Sequence, residues 1–261
     1  MKNDTLKRSK ELEFALDIAD RAGDIALNYF QNGVEATMKH DNTPVTVADK
    51  ECEHLIRQAI AEAFPDDAIL GEEEGASAGA ASAKRKWIID PIDGTYNYAR
   101  QIPIWALLLA FEQDGEIELG IVHAPAMKET FWAQRGCGAY RNGERVQVSA
   151  ISDAAKSMFV FGGPNRITGG ALAGGLNRVI AATYRQRAFG DYLNFAYVFS
   201  GKAEAALETG VHPWDLAPMK VIIEEAGGRY SDLDGESSIY KGSCLVSNGK
   251  VHNEILRLLV G

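Results

Sequence analysis

Trp87-Ile88-Ile89-Asp90-Pro91-Ile92-Asp93-Gly94-Thr95 is the stretch on which the reading of this chain turns. A short, branched apolar run leads straight into two carboxylates, and such a run reads as a buried strand. Pro91 and Gly94 are expected to stop that strand in a turn. Buried carboxylates are costly unless they are paired or bound to a cation. Two of them at the end of a buried strand call for a cation. Magnesium prefers hard oxygen ligands, and Asp90 and Asp93 on a turn can face one point. Proline stiffens the turn and lets the Ile92 carbonyl point inward as well. If Gly94 and Thr95 open a helix, their amides can cradle a phosphate group. Metal and amide cradle together suit phosphoryl transfer. A capped surface turn is the alternative, and the apolar residues before Asp90 argue against it.

On the N-terminal side, residues 5–30 place Leu6, Leu12, Leu16, Ala19, Ile25, Ala26, Tyr29 and Phe30 at helical spacing, and Asn32-Gly33 is a stop signal. Thr43-Pro44 marks a turn after Asp41-Asn42. Thr46 with Asp49 three residues on is a capping-box arrangement for a second helix that ends at Pro65. Taken by itself, Asp49 reads first as a first-turn acid favoured by the helix dipole. Glu72-Glu73-Glu74 would ordinarily be a solvated loop, but it follows a short strand closely enough to supply a ligand. Residues 76–83 contain only Ala, Ser and Gly and read as a mobile surface loop or lid.

On the C-terminal side, strands are expected over 106–111 and 117–123, joined by Asp114-Gly115, with a further pair around Asn142-Gly143. Residues 1–149 thus read as helices plus an antiparallel meander, and 150–261 as a second half. In that half, residues 162–175 are Gly-rich without the Lys-Ser/Thr ending of a P-loop. Helices are expected over 172–184, from Gly190-Asp191 to Ser200-Gly201, from Asp215 to Glu225 and over 253–259.

The composition narrows the function classes. The 261 residues are 46% hydrophobic and 24% charged, as in ordinary globular proteins. No run approaches the ~20 apolar residues of a membrane span, and the charged N-terminus argues against secretion. Cys52, Cys137 and Cys244 are far apart, so neither a disulfide framework nor a zinc knuckle is expected, and a cytoplasmic location fits. A net charge of −9 without a basic stripe disfavours nucleic acid. His40, His54, His123, His212 and His252 lack metal-ligand spacing and read as structural or surface, with His212 close enough to Asp215 to line a cleft. Trp105, Trp132 and Trp214 read as core. A calcium module would need an EF-hand-like loop that is absent.

Four motifs in order, Gly71-Glu72-Glu73, Asp90 to Thr95, Trp214-Asp215-Leu216-Ala217 and Glu224-Glu225-Ala226-Gly227-Gly228, make the chain resemble the inositol monophosphatase superfamily over nearly its whole length. The resemblance implies an α/β fold, a layered αβαβα sandwich with the site between two halves, and a dimer. It implies that Glu72, Asp90 and the Ile92 carbonyl hold a first Mg2+ and that Asp90, Asp93 and Asp215 hold a second. A third ion would touch Glu72. Asp49 and Thr95 would orient the attacking water. Asp93, Gly94, Thr95, Gly190, Asp191, Glu208 and Asp215 would meet the substrate, a small phosphate monoester. Lys86 to Thr95 with Asn97, Tyr98 and Arg100, Pro103 with Trp105-Ala106, and Gly190-Asp191-Tyr192 look closest to the histidinol-phosphatase branch, which serves histidine biosynthesis. Asp191 suits a cationic amine, although it reads equally as a helix N-cap. Gln101 stands where the family usually has glycine and Tyr96 where that branch usually has lysine; both are expected to flank the cleft. Inositol phosphate or a broader range of polyol phosphates is the alternative substrate class. An inactive dimeric scaffold is the alternative of another kind, and the full ligand set argues against it.

Overall fold

The computed structural model describes residues 8–40, 43–170 and 172–261. The expected helix start at 5–7, Asp41-Asn42 of the expected turn and Ala171 lie outside the described residues. Helix α1 (Lys10–Asn32) begins where Ser9 Oγ accepts the Leu12 N–H. Strands β1 (Thr37–Met38) and β2 (Pro44–Val45) form a small hairpin, and α2 (Val47–Ala63) follows. Its Thr46–Asp49 capping box is formed on both sides, as the sequence predicts.

Eight strands make the larger sheet: β3 (Ala68–Gly71), β4 (Gly75–Ala76), β5 (Arg85–Asp93), β6 (Ala106–Gln113), β7 (Glu116–Ala124), β8 (Glu129–Gln134), β9 (Gly138–Arg141) and β10 (Glu144–Val146). Their order is β10-β9-β8-β7-β6-β5-β3-β4, and only β3 and β5 pair in parallel. Asp114-Gly115 and Asn142-Gly143 turn the expected hairpins with both residues of each pair at positive φ. The five-residue helix α3 (Thr95–Ala99) leaves the end of β5. Residues 76–83 are not a free lid. Ser77 N–H donates to Ile69 O, Ile69 N–H donates to Ser77 Oγ, and Ala80 is buried.

The second sheet has order β12-β11-β13-β15-β14, from β11 (Met158–Phe161), β12 (Arg185–Arg187), β13 (Ala205–Thr209), β14 (Arg229–Ser231) and β15 (Ser243–Ser247). Around it lie α4 (Pro164–Thr168), α5 (Ala173–Ala182), α6 (Asp191–Phe199), α7 (Pro213–Glu225) and α8 (His252–Val260). The sequence reading missed α4, inside the Gly-rich stretch, and the short strands β12 and β14.

Alternation along the strands sorts these parts into layers. Trp87, Ile89, Leu107 and Leu109 pack on α1 and α2. Their neighbours Ile88, Leu108 and Ala110 face α6 and α7, which also cover Val160, Ala206 and Val246 of the second sheet. Phe159, Leu207 and Leu245 point the other way, onto α5 and α8. The result is an αβαβα sandwich, as expected. Among the described residues no helix is long and apolar enough to cross a membrane.

Helix α7 runs through the middle layer and needs a close approach to the larger sheet. A Cβ on Gly120 of β7 would stand 2.6 Å from Pro218 Cα and 2.8 Å from Pro218 O. Both are helix backbone and cannot rotate aside. Gly120→Ala is therefore expected to cost about 1–3 kcal/mol through overpacking. In urea unfolding the midpoint should fall with the slope unchanged; a parent-like midpoint would contradict this packing.

Candidate active site

The strand carrying Asp90 and Asp93 does not stop at Pro91. It continues to Asp93, but its pairing with β6 slips: Asp90 faces Leu108 and Asp93 faces Ala106, three steps against two. Proline has no N–H to give the ladder, and a bulge absorbs the mismatch. In a regular strand residues three apart point to opposite faces. The slip instead turns both carboxylates to one side. Asp90 Oδ1 accepts the Ile92 N–H at 3.0 Å, which holds the kink.

Asp215 arrives from the first turn of α7, where its Oδ2 accepts the His212 N–H at 2.7 Å. One carboxylate oxygen from each of Asp90, Asp93 and Asp215 lies within 4.8 Å of the others. Glu72, in the turn between β3 and β4, joins this wall of the cleft, but its carboxylate leans on Lys39 Nζ at 2.9 Å. Burial, and then the neighbouring carboxylates, pushes Asp90 and Asp93 well above the usual range. Burial takes Asp215 up to about 7. These acids resist ionising without a cation, and their all-oxygen donor set suits a hard divalent ion.

Asp49 sits behind this wall. Its Oδ2 accepts from Thr46 N–H at 2.8 Å and Thr46 Oγ1 at 2.5 Å. Thr95 Oγ1 lies 3.2 Å from Asp49 Oδ1 and 3.0 Å from Ile92 O, and its single proton serves one of them. Burial raises Asp49 to about 6 in spite of the Thr46 donors. Gly94 caps α3 with φ 86° and no side-chain bond. Gly94, Thr95 and Tyr96 line the cleft, whose volume is about 260 Å³.

The opposite wall comes from the second half of the chain. Gly190, not Asp191, is the N-cap of α6, and no side chain caps it. Asp191 has a left-handed φ of 51° and accepts from Asn97 Nδ2 at 2.6 Å. The next amide, Tyr192 N–H, donates to Asp93 Oδ2 at 2.6 Å. Glu208, on β13, takes 2.5 Å from Asn194 Nδ2. Burial pushes Asp191 up to about 6 and Glu208 up to about 8. The cleft thus gathers Glu72, Asp90, Ile92, Asp93, Gly94, Thr95, Gly190, Asp191, Glu208 and Asp215; Asp49 reaches it through Thr95.

Three residues bear on the sequence reading. Trp214 lines the cleft, with His212 stacked on it at 4.8 Å, and packs part-buried against the core as well. Gln101 does not flank the cleft: it has φ 57° at the end of α3 and donates to Phe30 O. That left-handed φ is what glycine adopts without strain. Tyr96 does line the cleft, with the Arg100 guanidinium over its ring.

Two cations were not foreseen. Lys39 bridges Glu72 and Glu73 from the β1–β2 turn. Arg166 of α4 borders the cleft and donates through Nη1 to Thr209 O and Gly210 O. Lys39 follows a bare methionine and Arg166 lies in a Gly-rich run; neither has a local pattern that marks it.

A family model described as the inositol monophosphatase family matches residues 7–260. A Mycobacterium tuberculosis protein named histidinol-phosphatase is 37% identical over 258 residues, 95% of this chain and 97% of that protein. A Thermotoga maritima fructose-1,6-bisphosphatase/inositol-1-monophosphatase is 36% identical over 82% of each chain. Among solved structures, the extragenic suppressor protein suhB from Bartonella henselae superposes with a TM-score of 0.89 at 28% identity, covering 96% of this chain and 98% of that one.

The raised acids make a linkage prediction. An unfolded carboxylate releases its proton near pH 4, while Asp215 and Glu208 hold theirs in the folded protein up to about 7 and about 8. Their contribution to stability is full below the unfolded value and is lost as pH rises through the folded ones. A bound cation takes over from the Asp215 proton. The gain in Tm from adding Mg2+ to metal-stripped protein should therefore grow from pH 5 to pH 8. A gain independent of pH, read by calorimetry, would contradict this.

Proposed function

The chain belongs to the inositol monophosphatase family, and from that membership we propose that it is a Mg2+-dependent phosphomonoesterase whose substrate is L-histidinol phosphate. The observation that carries the reaction is the meeting of Asp90, Asp93 and Asp215 beside the Gly94-Thr95 helix start. In this reading Glu72, Asp90 and the Ile92 carbonyl hold one ion, and Asp90, Asp93 and Asp215 hold another. When bound, the ions neutralise phosphoryl oxygens and acidify water.

The chain's own groups do the rest. With the Thr95 hydroxyl donating to Asp49 Oδ1, its lone pairs are free to accept from a water on the phosphorus side. Asp49, with its raised proton affinity, takes up the proton that water releases through Thr95. The first-turn amides of α3 hold the phosphoryl oxygens. The water oxygen bonds to phosphorus, the ester P–O bond breaks towards the alcohol, and the alkoxide takes a proton from solvent. Asp93 keeps one carboxylate oxygen on Tyr192 N–H, which fixes the alcohol-binding wall relative to the metal bed.

On that wall Asp191 favours an alcohol that carries a cationic amine, as histidinol does, whereas Glu208 suits an amine or a polyol hydroxyl alike. The Mycobacterium tuberculosis relative's name supports the same choice. Inositol phosphate is the second reading, favoured by the Thermotoga maritima relative's name. The same reading makes the working unit a homodimer of two-part subunits, 1–149 and 150–261, acting in the cytoplasm.

Turnover of both esters with Mg2+ separates the two substrates, and an equal or faster rate on inositol phosphate would overturn the first choice. Asp191→Asn should cut the preference for histidinol phosphate roughly 10-fold, the worth of one charged hydrogen bond. Asp93→Asn should abolish turnover and the Mg2+-dependent gain in Tm together. Thr95→Ala should lower kcat by about 100-fold or more with little change in KM.

A further inference from the structure

Glu53 lies one helical turn after Asp49 on α2, with Arg57 a turn further on. At that spacing a Glu–Arg pair usually lies on a solvated helix face and contributes little. Here the Glu53 side chain is fully buried. Its Oε2 accepts the Glu73 N–H at 2.8 Å, and its Oε1 accepts the Glu74 N–H at 3.0 Å and Arg57 Nε at 2.8 Å. Arg57 Nη2 reaches on to Gly75 O. The preceding amide, Glu72 N–H, donates to Ile89 O of β5 at 3.1 Å. Every backbone N–H of the acidic triplet is thus tied down, two of the three by one carboxylate.

The fit requires a missing side chain. A Cβ on Gly71 would stand 2.2 Å from Glu53 Oε1 and 2.8 Å from Arg57 Nη2. Gly71 is there because the carboxylate passes where its Cβ would be. The turn so held carries Glu72 and Glu73, which share Lys39. Like charges on a short turn would splay it. A carboxylate beneath the turn, bonded to its amides and neutralised by Arg57, keeps Glu72 on the cleft wall beside Asp90.

We propose that Glu53, braced by Arg57, is a positioning residue that clamps the Glu72-Glu73-Glu74 turn and thereby sets the divalent-cation affinity of the cleft. This rests on the reading of Glu72 as a metal ligand. Gln in place of Glu53 keeps the shape but offers an NH2 group to one of two amide donors and leaves Arg57 only the longer pair with Glu74, at 3.7 Å. Groups that orient metal ligands are worth about 10–100-fold in affinity.

Two readouts separate the clamp from the ligand assignment. In the metal-stripped full chain, Glu53→Gln should speed amide hydrogen exchange across residues 71–75. Calorimetric titration with Mg2+ should show binding about 10-fold weaker or more, and half-maximal ester turnover should shift to higher Mg2+ by the same factor. The KM for the ester at saturating Mg2+ should not change; a merely destabilised fold would not confine its effect to the metal. Glu72→Gln is the control. If it weakens Mg2+ binding while Glu53→Gln exchanges and binds like the parent, the clamp is overturned and the ligand reading stands. If Glu72→Gln binds Mg2+ like the parent, the ligand reading falls, and the clamp's role in metal affinity falls with it. Should Glu53→Gln fail to fold, Arg57→Met carries the same titration with a smaller expected weakening, and parent-like affinity there overturns the proposal.

Discussion

The pairing of β5 with β6 slips by one residue at Pro91, and the site depends on that slip. An unbroken ladder would send Asp90 and Asp93 to opposite faces of the sheet, one towards α1 and α2 and the other towards α7. The slip of one residue between Asp90 and Asp93 brings both to the end of the strand, where α7 delivers Asp215. Burial then raises the proton affinity of all three, and neighbouring carboxylates add to it. The fold tolerates this because the surroundings are over-determined. Ile92 N–H holds Asp90, Tyr192 N–H holds Asp93 and His212 N–H holds Asp215. Each acid is fixed by a backbone donor that weakens its own proton affinity only in part, so the cluster stays poised for a cation.

Much of this was legible in the sequence because the decisive signals are local. The Thr46–Asp49 capping box, the Asp-Gly and Asn-Gly turns and the apolar run before Asp90 each need only a few adjacent residues. The acids of the cleft were legible by resemblance, and the structure gathers them as that resemblance implies. What was not legible depends on distance. The bulge at Pro91 requires knowing that β6 lies alongside. Glu53 looks like half of a surface pair until the 71–75 turn is placed over it. Gln101 departs from the family's usual glycine, but only the φ of 57° shows what glycine is for at that position. Strands β12 and β14 are three residues each, too short for any alternation to register.

The two walls of the cleft are one mechanical piece. Asp93 belongs to the acidic cluster, yet its Oδ2 is bonded to the first turn of α6. Asn97, two residues after Thr95, reaches across to Asp191 and also donates to Ile104 O. Gly94 cannot carry a side chain, because a Cβ there would stand 2.9 Å from Ile104 O and 3.3 Å from Asp191 Cγ. Asp191 holds a left-handed backbone, which costs a non-glycine residue about 1 kcal/mol or more and persists only where neighbours enforce it. Those neighbours are the residues that follow the Asp90–Asp93 bulge. The strain at Asp191 is therefore sustained from the Asp90–Thr95 stretch, and a change in the loop proposed to meet the alcohol is felt by a carboxylate proposed to hold the ion.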